Sequence, residues 1–163
     1  MRMSAENMNS SKSINSKKVG VVNVKLGDNV TIIEPSNLYG CTIGNGSFVG
    51  PFVEVQSDVW IGKNCRIQSH CFICTFVCIK DDCFVGHGVT FTNDLFQNGL
   101  PSSHKKDWLP TTIEEKVSIG SGSTILPVCI VAGCVIGAGS VVTKDLKIRG
   151  VYAGNPARLL RKL

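Results

Sequence analysis

The chain has 163 residues, 43% of them apolar and 18% charged, with 17 glycines, eight cysteines and a formal net charge of +5. This composition excludes wholesale disorder, suffices for one buried core, and suits many short turns better than a helical bundle. The basic excess gathers at Lys12, Lys17 and Lys18 and at Arg158, Arg161 and Lys162, without interleaved stacking aromatics, so no nucleic-acid stripe is visible.

Residues 1–18, MRMSAENMNSSKSINSKK, are polar and rich in Ser and Asn. They lack the apolar core of a secretory signal, and no run approaches the roughly 20 apolar residues a membrane helix needs. A disordered N-terminal tail, no membrane segment and a cytoplasmic location are the expectations. A six-residue beat then runs through Ile43, Val49, Val55, Ile61, Ile67, Ile73, Ile79, Val85 and Phe91. Leu26–Gly27 and Ile32 set it earlier; Ile113, Ile119, Ile125, Ile136, Val142 and Ile148 carry it on, with one rung a residue short. A period of six fits neither an amphipathic helix nor a simple alternating strand. It fits a coil of three short strands with one aliphatic per flat face pointing inward, the hexapeptide signature of a parallel β-helix. Gly follows the aliphatic at 44, 50, 62 and 86, where it permits the backbone geometry of the turn.

Two residues before each inward aliphatic, a second small side chain is expected to point in near a corner. Cys41, Ser47, Val53, Val59, Cys65, Cys71, Val77, Cys83, Val89 and Cys134 hold such places, so five of the eight cysteines read as small core fillers. A regular solenoid core without a secretory signal argues against a disulfide framework. Cys71, Cys74 and Cys78 stand three and four residues apart, but only Cys71 is inward in this scheme, which argues against a zinc site.

Between Asn93 and Thr112 the beat is lost, in NDLFQNGLPSSHKKDWLPTT. An insertion leaves a solenoid as a surface loop, often on its binding face. A protruding loop over about 94–112 is predicted, carrying Phe96, His104, Lys105, Lys106 and Trp108. It follows a polar cluster in FVGHGVTFTND, residues 84–94, with His87, Thr92, Asn93 and Asp94. Near the end, NPARLLRKL offers Asn155 as an N-cap and Pro156 as a first helical residue. The expected layout is a β-helix domain over 19–150 and a short C-terminal α-helix in 151–163.

GAGSVVTKD and GNPAR near the C-terminus, KLGDNVTIIEPSNLYGCTIG at 25–44, GPFVEVQ at 50–56 and FVGHGVTFTND together resemble the hexapeptide-repeat acyltransferases. That family folds as a left-handed parallel β-helix, and the resemblance runs from residue 19 to about 155. Its nearest branch is the bacterial N-acetyltransferases of nucleotide-linked (UDP or TDP) 3-amino sugars, of the UDP-2-acetamido-3-amino-2,3-dideoxyglucuronate type, used in surface polysaccharide synthesis. The resemblance implies acetyl-CoA as co-substrate, no metal, and a homotrimer with active sites at subunit interfaces, walled by the inserted loop. Within Phe91-Thr92-Asn93 it gives Asn93 the contact with the sugar amine.

In such a reaction a neutral amine attacks the thioester carbonyl, an oxyanion forms and the CoA thiolate leaves, so the amine must be oriented and a proton removed. Asn93 can accept from the amine through its side-chain oxygen. Asp94 can hold Asn93 or take the proton, and His87 is an imidazole able to carry protons near neutrality. The departing thiolate is the alternative proton acceptor. Glu34, Asn37, His70 and Thr92 are candidates for sugar contacts, and Trp108 for stacking on a nucleotide base. For coenzyme A, the Gly137-Ala138-Gly139-Ser140 turn offers amides and room for the pantetheine arm. Asn155 and Pro156 open the expected helix, and Arg158, Arg161 and Lys162 bring charge for the phosphates.

Three other readings stand beside this one. His70, His87 and His104 could serve zinc as in γ-type carbonic anhydrases, but their spacing differs from that family's. A non-catalytic β-helix scaffold is opposed by the TKD–GNPAR end. O-acetylation of a sugar or small alcohol is the nearest alternative; the late rung VSIGSGSTILP lacks the His that many such enzymes carry, which favours an amine acceptor.

Overall fold

The computed structural model describes residues 20–163; the tail expected over 1–18 lies outside them. The chain winds as a three-sided parallel β-helix. Face A has seven strands, starting at Val21–Val22, Asn37–Tyr39, Glu54–Val55, Phe72–Ile73 and Thr90–Phe91. Face B has six, among them Trp60–Ile61, Val77–Ile79 and Thr111–Ile113, and face C has eight, among them Arg66–Ile67, Phe84–Val85 and Val135–Ile136. Apart from the last strand of face C, each strand pairs in parallel with its counterpart one coil away, as Ile73 with Val55 and Val85 with Ile67. This is the left-handed parallel β-helix that the resemblance implies.

The beat is the core. From Ile43 to Ile136 every aliphatic on it, and Phe91, is at most 1% exposed. The corner fillers are buried as expected, and several have a second task. The thiols of Cys65, Cys71 and Cys83 donate to the Lys80, Gly86 and Glu114 carbonyls, each at 3.1 Å. Ser47 does the same for Gly62 at 2.8 Å. A small side chain with a donor thus fills the corner and satisfies a buried carbonyl. The glycines after the beat have a different reason from the expected one. Gly44, Gly62 and Gly120 have no positive φ; a Cβ at Gly44 would lie 2.7 Å from the backbone of Gly62 on the next coil. Close approach excludes a side chain there. The left-handed corner residues come two positions later, at Gly46, Asn64, Asp82 and Gly122.

Three expectations change. The last rung is closed by Leu146, bridged to Ile130 and buried, whereas Ile148 is 47% exposed. Cys74 is only 2% exposed although it follows an inward residue, because it lines a groove roofed by the inserted loop. The C-terminal α-helix is replaced by a hairpin: residues 154–157 turn, and Arg158–Lys162 runs antiparallel to Gly150–Ala153. A terminal rung left bare would present a row of unpaired N–H and C=O groups. Pairing them outweighs a cap worth about 1 kcal/mol. Gly150 makes room for Leu159 to lie across the end.

Burial pushes the thiols of Cys41 and Cys71 up to about 11 and that of Cys74 up to about 12, from an ordinary value of 9.0. Alkylation of the native protein at neutral pH should therefore reach half-buried Cys78 and Cys129 first, with all eight reacting after denaturation; mass spectrometry reads the order. Thiols whose folded pKa is raised favour the folded state fully only below the unfolded value. The contribution of these three thiols should thus be constant below pH about 9 and be lost as pH climbs toward 12, read as a shift in urea midpoint.

Candidate functional site

Face A and its two corners carry the candidate site residues other than those of the C-terminal hairpin. Asn93 and Asp94 stand where the chain leaves face A after Thr90–Phe91, at the corner with face B. The excursion is pinched at its neck, where Leu109 N–H donates to the Asn93 carbonyl at 2.8 Å. Inside it, the Asp94 carboxylate accepts from Phe96 N–H at 2.8 Å and Ser102 N–H at 2.6 Å. Ser102 donates to Asp107 at 2.7 Å, and Trp108 Nε1 donates to the Ser102 carbonyl at 3.2 Å. Lys105 reaches back to pair with Asp58 and lies over the Phe76 ring, 5.2 Å from its centre. The loop is therefore a folded wall, with one short 3-10 turn at Lys105–Asp107. It spans fewer residues than expected, since Thr111 already belongs to face B.

Between this wall and face A lies a groove of about 360 Å³. It is lined by Thr92, Asn93, Asp94 and Trp108, as anticipated, and also by Gln56 and Cys74. The Asn93 side chain donates through Nδ2 to the Thr75 carbonyl at 3.2 Å. That bond turns the amide so that Oδ1 is left to accept from a ligand. The buried Thr92 hydroxyl has no hydrogen-bond partner among the described residues. A buried orphan costs about 1–3 kcal/mol, which a ligand in the groove would remove. Asp94 is occupied in holding the loop. Thr92→Val should accordingly leave the free protein as stable or more stable by thermal melting, while raising KM for the acceptor.

The opposite corner, between faces C and A, holds a second group. His87 Nδ1 is 2.8 Å from Ser69 Oγ, and His87 is exposed. His70, also exposed, stacks on Phe52 with ring centres 4.9 Å apart. Both have positive φ, +63° and +59°. In the following coils the same place belongs to Gly88, Gly122 and Gly139, with φ of +66°, +69° and +66° and nothing within 4 Å of a would-be Cβ. A bare strip thus runs from His87 to the C-terminal hairpin. Ala138 and Gly139 border it, but Ser140 is buried, donating to the Gly137 carbonyl at 2.6 Å and accepting from Gly154 N–H at 3.2 Å. The turn with Asn155 and Pro156 is held there by Ala157 N–H donating to the Val141 carbonyl at 2.8 Å. Arg158 pairs with Ala153 and Arg161 with Val151, so both project from the outer side of face C, while Lys162 opposes Gly150.

Glu34 and Asn37 line a separate cavity of about 440 Å³ with Phe52 and Glu54, toward the N-terminal end of face A. Glu54 of this cavity neighbours Gln56 of the groove, whose Nε2 lies 3.5 Å from Glu54 Oε1. Burial, and then the Glu54 charge, push the Tyr39 phenol up. His87 and Asn93 are not brought together within one chain. They sit at opposite edges of face A, six residues apart in the chain, a stretch that spans at most about 20 Å. Among the described residues, no three His, Cys, Asp or Glu side chains stand together as a metal site. No helix among them is long and apolar enough to cross a membrane. Sequence reasoning missed Gln56, Thr75 and Glu54 as site residues; the stretch GPFVEVQ holds Glu54 and Gln56, and no motif marked Thr75.

Two family models match: bacterial transferase hexapeptide (six repeats) over residues 40–75, and hexapeptide repeat of succinyl-transferase over residues 110–144. Galactoside O-acetyltransferase of Escherichia coli (strain K12) is 34% identical over 134 residues, 75% of this chain and 64% of that protein. The chain thus spans slightly less than two thirds of that relative. Putative acetyltransferase YJL218W of Saccharomyces cerevisiae is 34% identical over 153 residues, 90% of this chain and 71% of that protein. Among solved structures, the D94A mutant of AntD, an N-acyltransferase from Bacillus cereus in complex with dTDP and coenzyme A, superposes with a TM-score of 0.76 at 23% identity, covering 86% of this chain and 84% of that one. At that identity the likeness speaks for the fold. With two hexapeptide models matched and a 34% identical relative aligned over 90% of this chain and 71% of its own length, the chain belongs to the hexapeptide-repeat acyltransferase family.

Proposed function

We propose that this protein transfers an acetyl group from acetyl-CoA to the amine of a nucleotide-linked amino sugar, with C3 the favoured amine position and UDP or TDP the nucleotide. The observation that carries the reading is the groove beside the loop, where, among the described residues, Asn93 Oδ1 and the Thr92 hydroxyl have no hydrogen-bond partner. An acceptor amine donating to Asn93 Oδ1 presents its lone pair away from the amide, toward an arriving thioester. No strong base is required, because part of the amine is already neutral and the leaving thiolate can take the proton. Coenzyme A fits the strip of Gly88, Gly122 and Gly139, its phosphates near Arg158 and Arg161. The AntD complex, holding dTDP and coenzyme A on this fold, supports the same pairing of ligands.

A donor on the strip ends beside His87, across face A from Asn93 of the same chain. A cyclic homotrimer would set the strip of one subunit against the groove of the next, and His87 would then act as base or thiol partner across the interface. This predicts complementation. His87→Ala and Asn93→Ala should each be impaired alone, and co-refolded one to one they should regain about a quarter of wild-type sites, since each site draws one residue from each neighbour. No recovery would mean that both residues serve one site in one chain, or that they do not cooperate.

O-acetylation remains a second reading because galactoside O-acetyltransferase is among the relatives. The test is thiol release from acetyl-CoA against a panel of UDP- and TDP-amino sugars and matched sugars bearing a hydroxyl in place of the amine. Turnover only with the hydroxyl acceptors would replace the present reading.

A further inference from the structure

Gln56 and Thr75 form a hydrogen-bonded support beneath Asn93 that no part of the reaction described above uses. Gln56 Oε1 accepts from Thr75 N–H at 3.2 Å and from Thr75 Oγ1 at 3.4 Å. Its Nε2 faces Glu54 Oε1 at 3.5 Å. A carboxylate on one side and two donors on the other allow the amide one orientation. One coil further on, the Thr75 carbonyl receives Asn93 Nδ2. The order of contact is therefore Glu54, Gln56, Thr75, Asn93, across three successive coils.

Thr75 needs holding. It is 3% exposed, and the next residue, Phe76, has a φ of +73°. The same corner one and two coils earlier uses Asp58 and Gly40 for that conformation, residues that adopt it with little or no steric penalty. A bulky aromatic there is strained, and such strain persists only where the surroundings impose it. Here Gln56 holds the corner from one side, Asn93 from the other, and Lys105 of the loop covers the Phe76 ring.

We propose that Gln56 is a positioning residue: by fixing Thr75 it sets the Asn93 amide with its oxygen toward the groove, while Glu54 fixes Gln56. This rests on the reading of Asn93 as the group that meets the acceptor. The carboxamide of Gln56 already has a partner at each end, so its part is orientation rather than contact with the reacting atoms.

The test uses the full chain and two readouts. In the first, hydrogen exchange is followed by NMR at the Thr75 backbone amide and the Asn93 side-chain amide. Gln56→Leu should deprotect both, and Gln56→Glu, which keeps the acceptor, should retain protection at Thr75. In the second, thiol release is measured with the best amino-sugar acceptor. Gln56→Leu should lower kcat by about ten- to a hundredfold with KM for acetyl-CoA unchanged. It should add nothing to Asn93→Ala, because the two act through one group. Gln56→Glu sets a second carboxylate against Glu54, so its activity should recover at lower pH, where the pair shares a proton. Unchanged exchange at Asn93, a wild-type kcat in Gln56→Leu, or losses that multiply with Asn93→Ala would overturn the proposal. A wild-type protein that releases no thiol with any acceptor would instead overturn the acyl-transfer reading, and the exchange data would still decide the support role.

Discussion

Replacing Ile73 by aspartate is expected to abolish the cooperative thermal transition and to leave a largely unfolded or aggregated chain. Ile73 is fully buried and sits in the middle of the stack, paired with Val55 on one side. Removing it forfeits about 1.5–3 kcal/mol of apolar burial. A carboxylate in its place has no partner inside the prism, and its desolvation adds several kcal/mol more. The sum is comparable with the 5–15 kcal/mol that holds a domain of this kind together. Ile73→Val should cost about 0.5–1.5 kcal/mol and keep the transition. Ile148→Asp is the sharper control. It lies on the same six-residue beat, but its side chain is 47% exposed, so it should shift stability by about 0.5 kcal/mol or less. Circular dichroism melts of the three variants test the claim; equal damage at 73 and 148 would contradict the assignment of inward positions.

The second large effect is on turnover. Asn93→Ala should lower kcat/KM for the acceptor by about a hundredfold, the scale expected when a reacting group loses its placement. Two losses combine. The acceptor amine loses Oδ1, and the Thr75 carbonyl loses Nδ2 as its donor. Asn93→Asp separates them. It keeps an oxygen for the amine but puts a carboxylate against the Thr75 carbonyl, so the side chain should swing away and most of the loss should remain. KM for acetyl-CoA should move little in either variant, because Asn93 holds the acceptor amine while the glycine strip holds the donor. A normal kcat/KM in Asn93→Ala would remove Asn93 from the mechanism.

The inward positions were legible from spacing alone. A period of six admits few regular folds, and the burial of Ile43 through Ile136 depends on that period and on little else. Cys65, Cys71 and Cys83 could be read as core fillers because position relative to the beat determines direction. The inserted loop was legible as a break in the beat, and Thr92, Asn93, Asp94 and Trp108 do share one groove.

Other features depend on contacts between residues far apart in the chain, which no local pattern carries. The segment from Asn155 reads locally as a helix start, yet Arg158–Lys162 is a strand because the bare edge of Gly150–Ala153 lies beside it. Ser140 sits in a glycine-rich turn that invites a ligand, but the fold directs its hydroxyl to Gly137 and Gly154. Gln56, Thr75 and Asn93 are separated by 19 and 18 residues, and only the pitch of the winding stacks them. Sequence by itself determined the prism, its inward face and the place where the winding opens. Tertiary structure alone decided which polar groups meet across coils, because a hydrogen bond requires two groups within about 3 Å, and in a solenoid that proximity comes from stacking.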